Sequence, residues 1–425
     1  MSEMSIQNDV KTETESPHLF NYLQELIPLE DIRDFASPKR IGSIDFVKGF
    51  AIVFIILAHS SSAWLNSENK YIYGIAFALL DFLGPSLFVF LSALSVIFSI
   101  KNKQNILPQK VIQMRIFSRG FFIIFIAMIY NVASLTLENY NIPFPLSLWG
   151  WNILMFIGFS QIISYYALNL RKMHRAVIGI LIIAVSNPIR DLLFVPGIES
   201  GNIIAIIFHF ILIGPNPMVP LLPGLSICFI STIFGEYLYD AMNKGTKDAY
   251  IGLFRFFLIW SLILIFAGIG FGFGLYTKDS IAGGLSEYPH IALLTVANSQ
   301  PYFNIPGIPE LLIRGRAPNI LYNLGAALLV IAISFYFIDL KKKNKNNFVH
   351  MLIYYGKVSL SLFFIHQLLL NLFFRQLDVI MFLITNLTYV GLLGFLMYIW
   401  MEFGNGVGSP EWLMAALGKI GKKKK

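Results

Sequence analysis

The sequence predicts an all-α integral membrane protein, a polytopic bundle of about ten transmembrane helices with both termini in the cytoplasm. Composition, hydrophobic run length and charge placement each point there. Of 425 residues, 56% are hydrophobic, 15% aromatic and 13% charged, whereas a soluble domain carries about 25% charged residues. Mean hydropathy is +0.66, gathered into runs long enough to cross a hydrocarbon core about 30 Å thick. The net charge of +8 sits in alternate short connections and the tails, as the positive-inside rule requires. That pattern is not a nucleic-acid signature, so no nucleic-acid partner is expected. Cys228 is the single cysteine, which excludes an internal disulfide framework and a thiol metal site. The expected location is the cell membrane, with multiple passes.

Residues 1–38 form a polar, mixed-charge cytoplasmic segment with no short apolar run ending in small residues, so no cleavable signal peptide is expected. Within it, 19–35 carries Phe20, Leu23, Leu26 and Ile27 at helical spacing and reads as an interfacial helix. A transmembrane domain of 39–403 follows, with spans expected near 46–65, 74–100, 117–137, 149–169, 176–194, 218–239, 251–276, 317–339, 350–374 and 378–400. The apolar stretch 201–214 is too short to cross. Basic clusters alternate with connections nearly free of Lys and Arg; the exceptions are Lys70, Arg190, Lys278, Arg314, Arg316 and Arg375. Thr277–Arg316 is the longest connection on the outer side and reads as a lid or binding loop. Gly268, Gly270, Gly272 and Gly274 do not fit G-x-G-x-x-G and read as close helix packing. Residues 404–425 read as a glycine hinge and an amphipathic, Lys-rich tail whose lysines rest on anionic head groups.

The chain is organised around Arg40–Leu65, where a basic entrance leads into an apolar helix carrying His59. Thirteen residues separate Phe46 from His59, roughly 20 Å of helix, past the bilayer midplane. An ionisable group there marks a functional site or a polar contact that joins two helices. His366, sixteen residues beyond His350, lies at similar depth, which favours a joint site. Asp81, Asn152 and His209 are the candidate substrate-binding residues. Ser60–Ser62 beside His59 read as backbone-bonded hydroxyls more readily than as nucleophiles. At the inner face Arg40, Lys48, Arg115 and Arg119 are candidate phosphate ligands. Asp45 either caps its helix or pairs a cation there. The seven histidines have no metal-ligand spacing, so no metal is expected.

The stretch R-I-G-S-I-D-F-V-K-G-F-A-I-V-F-I-I-L-A-H (40–59) resembles the opening signature of prokaryotic relatives of the heparan-alpha-glucosaminide N-acetyltransferase catalytic domain, within the transmembrane acyltransferases. Shorter agreements occur at 81–92, 152–160, 220–223 and 356–366, so the resemblance covers roughly 39–415. It implies ten or eleven helices and transfer of an acyl group, usually acetyl from acetyl-CoA, to an acceptor across the membrane. Lys48 replaces the usual arginine, and Gly224 stands where relatives commonly have tryptophan. The lysosomal member carries its proposed catalytic histidine in the loop after the first span, with asparagine at the place of His59. Here that loop has no histidine, so the resemblance passes the acid/base role to His59.

These readings combine into a membrane acyltransferase with acetyl-CoA as co-substrate. Membrane lipids and a small-molecule, glycan or lipid acceptor are the expected partners, and a homodimer is compatible with the sequence. His59 would be the general base or a transient acyl carrier, and His366 would orient it. Asp45 is grouped with them as a candidate catalytic residue. A transporter or flippase built on the same buried polar groups is the alternative.

Overall fold

The computed structural model describes residues 41–417 apart from 105, 138–142, 216–218, 278–279, 282–283, 301–305 and 342–345. Arg40, the stretch 19–35 and the terminal lysines lie outside the described residues. In chain order the helices are α1 (Gly42–Trp64), α2 (Lys70–Leu80), α3 (Pro85–Lys101), α4 (Gln109–Leu137), α5 (Ile153–Ala167) and α6 (Lys172–Phe194). Next come α7 (Ile203–Leu212), α8 (Leu221–Lys244), α9 (Lys247–Phe271), α10 (Gly284–Glu287), α11 (Ile291–Asn298) and α12 (Ala317–Phe335). The last are α13 (Asn347–Lys357), α14 (Ser359–Ile365), α15 (Val379–Phe403) and α16 (Pro410–Leu417).

Among the described residues eight helical segments are long and apolar enough to cross a membrane, with α2 and α3 counted as one. Each falls on an expected span. The other two expected spans take different forms. α5 has 15 residues and starts at a cap, the Asn152 side chain accepting from Met155 N–H at 2.8 Å. α13 and α14 meet at 76°, and a 3₁₀ turn from His366 to Phe373 continues them. α7 has 10 residues, about 15 Å of helix, too short to span. The chain is thus a helical, multi-pass membrane protein.

Breaks fall where the sequence withdraws backbone bonding. Between α2 and α3, Gly84 and Pro85 interrupt the ladder at Asp81–Leu83, because proline has no N–H to donate. At the bend, the first turn of α14 has free amides. Glu411 of α16 reaches them: its carboxylate accepts from Ser361 N–H at 2.9 Å and from the Ser361 hydroxyl. Burial pushes the Glu411 carboxyl up. The tail through Leu417 therefore packs under the bend that leads to His366.

Small residues let the helices close up. A Cβ on Gly49 of α1 would lie 1.8 Å from the Leu352 carbonyl oxygen, and one on Gly356 of α13 1.8 Å from that of Asp45. Gly268 and Gly325 do the same for α9 and α12. Gly270 faces open space, so the glycine run packs at some of its positions.

The long connection is held by buried charge. β1 (Leu275–Tyr276) pairs antiparallel with β2 (Ile308–Pro309). Arg190 of α6 donates to the Glu287 carboxylate at 3.0 Å, and His209 of α7 bonds its other oxygen at 2.5 Å. Burial alone would raise the Glu287 carboxyl, but the His209 bond and the Arg190 charge outweigh it and hold it below the usual range. Arg316 is paired with Glu310 at 2.8 Å.

Candidate active site

The last turns of α1 fix where His59 points. Ser61 turns its hydroxyl back to the Ala58 carbonyl, and Ser60 bonds both the Ile56 carbonyl and, across to α15, the Asn386 amide oxygen at 2.7 Å. His59 faces a cavity of about 370 Å³. Its wall is built from seven parts of the chain: α1, α2 with the break before α3, α4, the segment leading into α5, the segment leading into α8, the long connection and the bent span. The polar groups on it are His59, Ser62, Lys70, Tyr73, Asp81, Tyr130, Asn131, Asn152, His290, Arg314, Gln367 and Arg375.

His366 lies behind His59, fully buried, with its Nε2 at 2.9 Å from His59 Nδ1. Its own Nδ1 is 3.2 Å from the Leu362 carbonyl oxygen. A carbonyl only accepts, so His366 Nδ1 carries the proton, and in the neutral ring Nε2 then holds a lone pair. His59 Nδ1–H donates to that lone pair. The remaining nitrogen, His59 Nε2, is left as an acceptor. Gln367 meets His59 Nδ1 at 3.0 Å and the Tyr130 hydroxyl at 2.5 Å. Gln367 Nε2–H donates to the Tyr130 hydroxyl, which links the imidazole pair to α4. Leu362 carbonyl, His366 and His59 thus form one directed chain that ends in a base.

A second polar cluster borders the same cavity. Asp81, at the break before α3, accepts from Arg314 Nε at 3.0 Å and from Asn323 at 3.0 Å. Arg314 also lies over the Phe77 ring at 4.5 Å, and its backbone N–H donates to His290 Nε2 at 2.8 Å. Asn152 donates to Asn131 at 2.5 Å, and Asn131 donates to the carbonyl of Gly150. Asp81 and Arg314 neutralise one another, and Asn152 and Asn131 are hydrogen-bonded, so none of these four is an available base; among the cavity groups the imidazole chain is the one that ends in a free acceptor.

The expected site residues therefore divide. His59, Asp81 and Asn152 share the cavity, and His366 supports His59 from behind. His209 is instead part of the Arg190–Glu287 cluster and is not on the cavity wall. Asp45 lies fourteen residues below His59 on one continuous helix, about 21 Å away along the axis. Lys48 shares that end, and Arg115 is buried on α4. Arg119 there donates to the Met414 carbonyl at 3.3 Å, which ties α4 to α16. Arg40 lies outside the described residues. Tyr130, Asn131, His290, Arg314 and Gln367 were not singled out from sequence as site residues. Gln367 adjoins His366, and Arg314 was an exception to the charge asymmetry. Tyr130 and Asn131 carried no signal, because their partners at Gln367, Gly150 and Asn152 come from other segments of the chain. Among the described residues no three metal-ligating side chains converge.

A family model described as heparan-alpha-glucosaminide N-acetyltransferase, catalytic, matches residues 40–266, just over half of the chain. The matched segment contributes His59, Asp81, Tyr130, Asn131 and Asn152 to the site; His290, Arg314, His366 and Gln367 come from beyond it. Comparison with curated proteins gave no match.

Proposed function

Because the chain belongs to the heparan-alpha-glucosaminide N-acetyltransferase catalytic-domain family, we propose that it moves an acetyl group from acetyl-CoA to a hydroxyl or amine acceptor inside the membrane. The observation that carries this is the directed chain from Leu362 through His366 to His59, ending on a cavity of about 370 Å³. That volume is within the roughly 300–1,000 Å³ of small-molecule sites, and suits a thioester end beside a small acceptor.

In this reading His59 Nε2 takes the proton from the acceptor as its oxygen or nitrogen attacks the thioester carbonyl carbon. The tetrahedral intermediate collapses, the carbon–sulfur bond breaks, and the thiolate recovers the proton from His59 as free CoA. The ester or amide product leaves. His366 keeps His59 in the tautomer that accepts on the cavity side and accepts from Nδ1–H when the ring becomes charged. This division of labour matches that between base and orienting group in catalytic triads. Lys48, Arg115 and Arg119 stand at the opposite end. A CoA nucleotide held there would send its pantetheine arm along α1 toward His59, about 16 Å from Lys48 along the axis.

The test is release of free CoA from acetyl-CoA by the purified full-length protein, with a membrane extract as acceptor pool. Wild type should release CoA. His59→Ala should lose about 10²-fold or more, the usual weight of a general base, and His366→Ala should lose less. Absence of thioester cleavage by wild type, with acetyl-CoA bound, would overturn the reading in favour of transport.

A further inference from the structure

Six cations break the charge asymmetry of the sequence: Lys70, Arg190, Lys278, Arg314, Arg316 and Arg375. Three have acids. Arg190 pairs with Glu287, Arg314 with Asp81 and Arg316 with Glu310. Lys278 lies outside the described residues. Lys70 and Arg375 remain, and neither forms an ion pair among the described residues. Both line the cavity that holds His59, and their charges repel one another. Arg375 is exposed and Lys70 half-buried, so solvent screens part of that repulsion, and an anion set between them would gain from both charges.

The backbone fixes Arg375 relative to His59, and Lys70 opens α2 on the same cavity. Arg375 N–H donates to the Ala63 carbonyl at 2.8 Å, and Leu377 N–H to that of Trp64 at 2.9 Å. Ala63 is four residues beyond His59 on α1, about 6 Å along the axis. Arg375 is held there at φ 56°, a left-handed conformation that costs a non-glycine residue energy and persists where the surroundings enforce it.

We propose that Lys70 and Arg375 form an anion subsite one helical turn above His59, and that it takes an anionic group carried by the acceptor. The donor is a poor occupant. The phosphates of CoA stand a whole pantetheine arm from the thioester, so they cannot lie one turn from a base that acts on that thioester. An acceptor bearing a phosphate, sulfate or carboxylate close to its reacting amine or hydroxyl fits both requirements. Arg can grip such a group with two N–H donors and Lys adds a point charge. The anion could belong to a soluble phosphorylated sugar or to a lipid headgroup.

This rests on the acetyltransferase reading, so binding and turnover are measured separately on the full-length protein. Thermal stabilisation without acetyl-CoA is followed with glucosamine 6-phosphate and with glucosamine. Acetylation kinetics then use both sugars, and phosphatidylethanolamine in vesicles for the lipid source. The variants are Lys70→Ala and Arg375→Gly; glycine relieves the positive φ, so the second should fold at least as well as wild type. Stabilisation by glucosamine 6-phosphate alone, lost in both variants, is expected. Its KM should rise at least about tenfold, the scale of one charge-assisted hydrogen bond, with the KM for acetyl-CoA unchanged. The same charge dependence with phosphatidylethanolamine alone would support the subsite and make its occupant a lipid. Anion binding without any acetyl transfer would uphold the subsite and sink the acetyltransferase reading. Turnover with no preference for the charged acceptor, or a rise confined to the KM for acetyl-CoA, would overturn the subsite.

Discussion

At the scale of single residues, the three histidines near the cavity differ in what their second nitrogen meets. His366 spends Nδ1 on a carbonyl and offers Nε2; His59 spends Nδ1 on His366 and offers Nε2 to the cavity. His290 accepts from Arg314 N–H through Nε2, so its Nδ1 holds the proton, in a site 1% exposed and stacked on Phe77. Burial first, then the charges of Arg314 and Arg190, hold His290 well below the usual histidine value. The folded protein therefore keeps His290 neutral while the unfolded chain protonates it near pH 6.5. Below that pH the unfolded state binds more protons. The contribution is fully present above about pH 6.5 and is lost as pH falls, by up to about 1.4 kcal/mol per unit for one proton. His290→Gln keeps an acceptor for Arg314 and removes the titration. Its thermal midpoint should fall less than that of wild type between pH 7 and 5.5; parallel curves would sink this account. Sequence gave depth for His59 and His366, because depth follows from counting residues along a helix. It could not give tautomers, which depend on carbonyls such as that of Leu362 and on neighbours from distant spans.

At the scale of elements, the bend between α13 and α14 does most to set the site. It turns the chain so that His366 arrives behind His59, and Glu411 occupies the amides that the bend exposes. The entrance to that bend depends on Gly49 against Leu352 and Gly356 against Asp45. Gly356→Ala should force α1 and α13 apart at a cost of about 1–3 kcal/mol, typical of overpacking, and should lower activity by shifting His366. Gly391→Ala, with nothing within 4 Å of the new methyl, is the control and should leave the melting temperature unchanged or raise it slightly. Equal melting of the two variants in detergent would refute the role given to the glycine contact. The spans themselves were legible, since hydrophobic runs of about 20 residues identify them. The bend was not: Gly356-Lys357-Val358-Ser359 contains no proline, and the group that stabilises the break comes from Glu411, about fifty residues downstream. The packing of 404–417 against this bend was likewise hidden in a glycine-rich stretch that reads as a hinge.

At the scale of the molecule, the two ends differ in how their charge is used. At one end Lys101 and Arg175 share Glu236, and Arg119 is tied to α16. At the other, arginines are matched to buried acids, except where Lys70 and Arg375 face the cavity. Chain topology alone requires cations only on the cytoplasmic side, so the expected orientation puts Lys244 inside and the turn at Gln376 outside. That orientation decides how the proposed chemistry reaches its substrates: the acceptor cavity would face away from the cytoplasm, while the donor would come from the cytoplasmic end. The sole native cysteine is buried, so a Cys228→Ser background allows single reporters with little labelling of its own. Lys244→Cys should react with a membrane-impermeant maleimide only after the membrane is permeabilised, and Gln376→Cys should react in intact cells. The reverse pattern would place the cavity on the cytoplasmic side. Transfer across the membrane would then have to be abandoned in favour of donor and acceptor meeting at one face.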